Sequence, residues 1–163
     1  MASRAYLNPN SAEFPSSNYP QLSVNNRRPV LWFDASTDET CYWTLKVPQG
    51  YTGPSYLVLT LAMASATTGT VGFQVQVEAI TALDALDTDS ATGFATVNNS
   101  ASTTVAGTAG YIFEIIITLT NDDSMAAGDL LRLALNRDAD GSAITDSATG
   151  DCGLYMAEFR DSA

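Results

Sequence analysis

The stretch VGFQVQVEA, Val71–Ala79, decides the fold. Val71, Phe73, Val75 and Val77 fall on one side of an extended chain, and Gln74, Gln76 and Glu78 fall on the other. Successive side chains of a strand point to opposite faces, so this alternation predicts a strand with one buried and one wet face. The preceding ATTGT, residues 66–70, reads as a hairpin turn. Toward the N-terminus, YLVLTLAMA sets Leu57, Leu59, Leu61 and Met63 on one face. Its other face, Tyr56, Val58, Thr60 and Ala62, is apolar enough to predict burial on both sides. Earlier still, Cys41, Trp43, Leu45 and Val47 face one way, and Tyr42, Thr44 and Lys46 the other, before Pro48 and Gly50 end the strand.

Toward the C-terminus, TALDALDTDSATG, residues 81–93, reads as a loop with one helical turn carrying Leu83 and Leu86. Strands are expected at Phe94–Val97 and Thr103–Val105. YIFEIIITLT places Tyr111, Phe113, Ile115, Ile117 and Leu119 on one face. In LLRLALNRD, Leu131, Leu133 and Leu135 point inward. Its helix propensity is high, but Gly128 before it and Asn136 after it favour a strand. A polar loop, residues 139–151, leads to a last strand, LYMAEFR. About eight strands between turn signals, without a convincing helix, predict an all-β protein: an antiparallel, jelly-roll-like β-sandwich.

Residues 1–30 differ. Pro9, Pro15, Pro20 and Pro29 break helices and suit extended backbone. Tyr6, Leu7, Phe14, Tyr19, Leu22 and Val24 are more large apolar groups than a solvated linker carries. The chain therefore divides into an extended N-terminal arm, 1–30, and a sandwich domain, 31–163. Either the arm lies over its own domain or it reaches a neighbouring subunit. Tyr6, Leu7, Phe14 and Tyr19 are the candidate apolar anchors. Arg27 and Arg28, the only adjacent basic pair, are candidates to meet acidic groups of a neighbour.

Composition narrows the function. The 163 residues carry a net charge of −11, only 15% charged residues and a single lysine, Lys46. Phosphate binding needs clustered Lys or Arg, so nucleic acid and anionic lipid are excluded as partners. The N-terminus has no apolar signal-peptide segment, and Tyr111–Leu119 is far shorter than the roughly 20 residues a helical span needs. A cytoplasmic start and no membrane partner are expected. No histidine is present, which removes the usual general base and the commonest metal ligand. Cys41 and Cys152 are too few and too distant for a zinc site, and read as small buried hydrophobes. A disulfide between them requires that the first and last strands be neighbours.

A Ser-His-Asp arrangement cannot be built without histidine. Most acidic residues, such as Asp34, Asp38, Asp84, Asp87, Asp89, Asp122 and Asp123, sit in turn-like segments and read as turn formers. Glu78 and Glu114 fall on outward strand faces, and Glu158 lies in a strand apolar on both sides. Asn136, Asp138, Asp140 and Gly141 match the first half of a calcium loop, but its twelfth position is Ser147 rather than Glu. A different calcium arrangement would use Asp138, Asp140 and Asp146; an Asp- and Gly-rich turn accounts for the same residues. No enzymatic activity and no cofactor are expected.

The aromatic-Asp lead-in Trp32-Phe33-Asp34, the acidic pair Asp38-Glu39, the Pro48/Gly50/Tyr51 exit, the Arg137-Asp138 turn and the short terminal strand together resemble a group of phage virion β-domains. They look like the jelly-roll decoration, or cement, proteins of tailed-phage heads. The resemblance spans roughly residues 31–160. It implies a homotrimer on the outer capsid surface, made in the host cytoplasm, that binds the major capsid protein and stabilises junctions between its subunits with terminal arms. A second expectation is a tail or fibre domain that grips host surface glycans, with loop aromatics such as Tyr51 or Phe94 stacking on sugars.

Overall fold

The computed structural model describes residues 4–85, 88 and 93–161. The leader contributes β1 (Arg4–Leu7), a 3-10 turn at Pro9–Ser11, and β2 (Gln21–Asn25). Then follow β3 (Arg28–Phe33), β4 (Glu39–Lys46), β5 (Tyr56–Met63), β6 (Thr70–Val71) and β7 (Phe73–Ile80). The chain ends with β8 (Asn98–Asn99), β9 (Thr103–Thr104), β10 (Phe113–Thr118), β11 (Leu130–Arg137) and β12 (Cys152–Arg160).

Two antiparallel sheets form the sandwich. One runs β10-β5-β12-β3-β2, with β1 also pairing β12; the other runs β4-β11-β7-β8, and β6 and β9 make a separate ribbon. If β3, β4, β5, β7, β8, β10, β11 and β12 are counted one to eight, the sheets read 6-3-8-1 and 2-7-4-5. Among these eight strands, only the β7–β8 connection stays within a sheet. That is the double-sheet jelly-roll order, which closes two sheets over one core.

The alternation read from the sequence sets the core. Phe73, Val75 and Val77, Leu57, Leu59 and Leu61, and Leu131, Leu133 and Leu135 are all buried between the sheets. Phe33 and Phe73 meet edge to face across the gap, with ring centroids 5.4 Å apart. Val58 and Ala62 are buried on the opposite face of β5, as its two-sided apolar pattern predicts. A bulge between Leu154 and Met156 resets the parity of β12, so that Leu154, Ala157 and Phe159 all point inward.

Three local expectations are corrected. Residues 66–70 do not form a hairpin turn, because β5 and β7 lie in different sheets. The segment crosses the top of the sandwich, where Gly69 at φ +93 packs on the Ala148 backbone; a Cβ there would lie 2.9 Å from it. Phe94–Val97 is not a strand. Ala95 N–H donates to the Val77 carbonyl, but ladder pairing with β7 begins only at Asn98. Leu83 is a fully exposed turn residue at φ 77 instead of part of a helical turn. Its expected partner Leu86, with Asp87 and Asp89, lies outside the described residues.

The leader is laid over its own sandwich. β1 pairs with the C-terminal half of β12, from Arg4↔Arg160 to Leu7↔Ala157. Leu7 is buried in the core, and the Trp43 indole Nε1–H donates to the Asn8 carbonyl at 3.2 Å. Glu13 bridges Tyr42, and the Thr40 N–H donates to the Asn18 carbonyl, so residues 13–18 cover the edge of β4. An uncovered edge would be a template for unwanted pairing. β2 and β3 form a hairpin whose turn residues, Asn26 at φ 47 and Arg27 at φ 67, suit a two-residue primed turn. The expected boundary at residue 30 falls inside β3.

Candidate functional site: a polar groove on the four-stranded sheet

The outer face of the four-stranded sheet follows from register. Thr40, Asn136, Gln74 and Asn99 are partners in one row across β4, β11, β7 and β8. Their side chains hydrogen-bond in series. The Thr40 hydroxyl donates to Asn136 Oδ1 at 3.4 Å, Asn136 Nδ2 to Gln74 Oε1 at 3.1 Å, and Gln74 Nε2 to Asn99 Oδ1 at 3.1 Å. In the next row Tyr42, Ala134 and Gln76 are partners. Alanine between two long side chains leaves a depression. In the third row Arg132 pairs with Glu78 at 3.2 Å.

The result is a groove of about 430 Å3, with Ala134 as floor and Tyr42 and Gln76 as sides. Pro15, Ser17 and Asn18 of the leader form part of its lining. The Tyr42 ring is held 6.1 Å from Phe94, and the Arg132 guanidinium sits over both rings, 5.8 and 4.7 Å from their centroids. Gln76 Nε2 donates to the Ala95 carbonyl, while its Oε1 and the Tyr42 hydroxyl make no hydrogen bond among the described residues. Among the described residues no Lys or Arg lines the groove, and Asp38 is its single carboxylate.

A second polar centre lies beyond Asp38. Asp38, Asp138 and Asp140 bring carboxylate oxygens within 4.8 Å of one another. Asp138 is buried and accepts from the Ser142 hydroxyl and from the Ala143 and Ile144 N–H groups. Asp38 accepts from the Asp140 N–H. Hydrogen bonds from Ser142 hold the Asp140 carboxyl below its usual range. Asp146, the third residue of the expected calcium set, is drawn off into a buried pair with Arg137. Asn136 belongs to the groove, Ser147 serves Thr70, and Gly141 makes the turn at φ +67.

The arm residues divide by burial. Leu7 is a core residue; Tyr6, Phe14 and Tyr19 are exposed, with the Phe14 and Tyr19 rings 5.7 Å apart. Arg27 and Arg28 sit at the exposed tip of the β2–β3 hairpin and form no salt bridge among the described residues. Tyr51 is not a loop aromatic open to sugars, because it stacks on Phe159 at 6.0 Å beside the core. Cys41 and Cys152 are buried free thiols on strands of opposite sheets. No described helix is long and apolar enough to cross a membrane.

The sequence exposed the groove's residues only as neutral, outward-facing polar positions. Amides at alternate strand sites in a chain this poor in charge were the available signal. The small residue between Tyr42 and Gln76, which makes the depression, carried none.

Fold and groove together define a jelly-roll β-sandwich with a polar outer sheet face. No protein-family model matches the sequence, and no curated protein matches it. Among solved structures, TmCBM61 in complex with beta-1,4-galactotriose aligns over 96% of this chain and 88% of that one, at 12% identity and a TM-score of 0.37.

Proposed function

We propose that this protein is a non-enzymatic virion component, a decoration protein that binds the major capsid protein on the outer surface of a tailed-phage head. It acts as a homotrimer at junctions between capsid subunits and is made in the host cytoplasm. The observation that carries this reading is the set of apolar side chains held outward from a leader bonded to its own sandwich. Tyr6 is 63% exposed, Tyr19 48% and Val24 69%, with Phe14 and Leu22 beside them. Because β1 and β2 are paired into the sheet, and Glu13 and Asn18 beside Phe14 and Tyr19 are bonded to β4, these anchors are already positioned. Pre-positioning reduces the entropy lost on docking. Arg27 and Arg28 at the hairpin tip supply charge for acidic groups of the capsid.

The test is co-sedimentation of the full chain with undecorated phage capsids. Removing residues 1–30 would take away β1, β2 and part of β3, so the comparison uses Tyr6→Ser/Phe14→Ser/Tyr19→Ser. Wild type should pellet with capsids and the triple variant should remain in the supernatant with its fold intact. A wild-type chain that never pellets sinks the proposal.

A further inference from the structure

We infer that the groove on the four-stranded sheet is a binding site for a neutral saccharide. This goes beyond the capsid reading and does not rest on it. A groove of about 430 Å3 lies within the roughly 300–1,000 Å3 typical of ligand sites. Its polar lining consists mainly of amides and hydroxyls: Asn18, Thr40, Tyr42, Gln74, Gln76 and Asn136. These groups both donate and accept. The neutral ligand that offers the same dual capacity at every position is a polyhydroxylated one.

Other ligand classes fit poorly. Phosphate, sulfate or a nucleic acid would need cations, and none of the described lining residues is one in a chain of net charge −11. A metal ion would need several anionic ligands; among the described lining residues Asp38 is the one carboxylate, and its acidic neighbours Asp138 and Asp140 are not part of the lining. A purely apolar ligand would strand the amides without partners.

The site is also pre-organised. The Thr40–Asn136–Gln74–Asn99 series fixes each amide while leaving spare capacity: the second Nδ2 hydrogen of Asn136, the second lone pair of Gln74 Oε1, and Gln76 Oε1. Tyr42 is fixed by Phe94 and Arg132, and its hydroxyl is open to a ligand. Tyr42 and Gln76 stand on β4 and β7, on either side of β11, so they are about 10 Å apart at the backbone. That width admits a pyranose ring over Ala134. The leader, through Pro15, Ser17 and Asn18, completes the groove.

The experiment applies the full chain to an immobilised panel of neutral, sialylated and sulfated oligosaccharides, and measures each hit again by calorimetry with the free oligosaccharide. At least one neutral oligosaccharide should bind, with affinity insensitive to salt. Gln76→Ala, and Ala134→Leu, which fills the floor, should each weaken it at least about tenfold. Ile116→Ser, on the other sheet, should leave it unchanged. Thermal melts confirm folding, and Gln76→Ala alone decides the matter if Ala134→Leu does not fold. The inference is overturned if no neutral oligosaccharide binds at about 10 mM, if only charged glycans bind, or if binding survives Gln76→Ala. It is equally overturned if sedimentation velocity shows the groove variants changing the oligomeric state without any saccharide effect, since the groove would then be a protein interface.

Discussion

Arg137 and Asp146 form a two-point ion pair inside the protein, with Nε and Nη2 each 2.9 Å from a carboxylate oxygen. Their side chains are 0% and 1% exposed. The guanidinium also donates to the carbonyls of Phe33, Asp34, Ala148 and Gly150. One side chain at the end of β11 therefore ties down the loop before β12 and the exit of β3. Burial pulls the Arg137 pKa down, but the Asp146 hydrogen bond and charge outweigh it, and the net shift is upward. Removing one partner of a buried pair leaves an uncompensated charge or unpaired carbonyls, at about 3–5 kcal/mol. Arg137→Met should cost at least that, and more than Asp146→Asn, which keeps the guanidinium and its carbonyl partners. Urea denaturation measures both; a loss below about 1 kcal/mol for Arg137→Met would show that the clasp does not hold the loop.

The leader yields a contrast within two adjacent residues. Leu7 is buried in the core, whereas Tyr6 points outward. Leu7→Ala should cost about 2–5 kcal/mol, the range for buried leucines. Tyr6→Ser should change stability by no more than about 0.5 kcal/mol, as exposed substitutions do. Equal losses from the two, in the same urea titration, would contradict the register of β1 on β12.

How much of this was readable from residues alone depends on distance along the chain. The inward sets of β4, β5, β7 and β11 were legible because strand period is local; in β10 the same holds for Ile115 and Ile117, but Tyr111 precedes the strand and is 65% exposed. The destination of residues 66–70 was not, since a turn sequence does not say whether the next strand joins the same sheet. Asp146 reads from sequence either as a turn former or as a cation ligand with Asp138 and Asp140, but the fold places the Arg137 guanidinium against it. The leader's apolar content was plain, yet its landing on β12 and β4 is a long-range pairing. The groove depends on the same kind of information: Thr40, Asn136, Gln74 and Asn99 become one row only when the sheet order is known.

The two cysteines should be silent toward reagents in the folded protein. Burial pushes the Cys152 thiol up to about 12, and pushes Cys41 well above its usual range. Thiolate is the reactive form, and neither side chain is accessible. A chromogenic disulfide reagent at about pH 8, near the ordinary thiol pKa, should find no thiol in the native chain and both after denaturation. Rapid native labelling of either would show that its strand opens.

Gly153 marks a close approach on the outer face of β12. A Cβ there would lie 2.6 Å from Trp32 Cζ3 and 2.9 Å from Val30 Cγ2. Gly153→Ala should therefore displace Trp32 from its edge contact with Tyr155, at about 1–3 kcal/mol for overpacking. Tryptophan fluorescence should shift to the red as the indole moves toward water, with a matching loss in thermal stability. An unchanged spectrum and melt would mean that the sheet gives way at no cost.

Acid should loosen the link between β3 and β4 through Asp34. Its Oδ1 accepts from Ser36 N–H and Ser36 Oγ–H, both at 2.7 Å, and from Thr37 N–H at 2.9 Å. Those hydrogen bonds, the Ser36 hydroxyl first, hold its pKa below the usual carboxylate value. A depressed carboxylate contributes stability that is fully present above its unfolded pKa, near 3.9, and is lost as pH falls through the lower folded value. Glu39 runs the other way. Burial raises its pKa despite the bond it accepts from Asp34 N–H, so its ionisation costs stability as pH rises through its folded value. The Asp34 charge is itself one of the causes that raise Glu39, so Asp34→Asn is compared with its parent in a Glu39→Gln background, where Glu39 no longer titrates. The melting-temperature gap should be constant from about pH 7 to pH 5 and close as pH falls below about 3.9. A gap that stays open under acid would mean that Asp34 acts through shape alone, not through its charge.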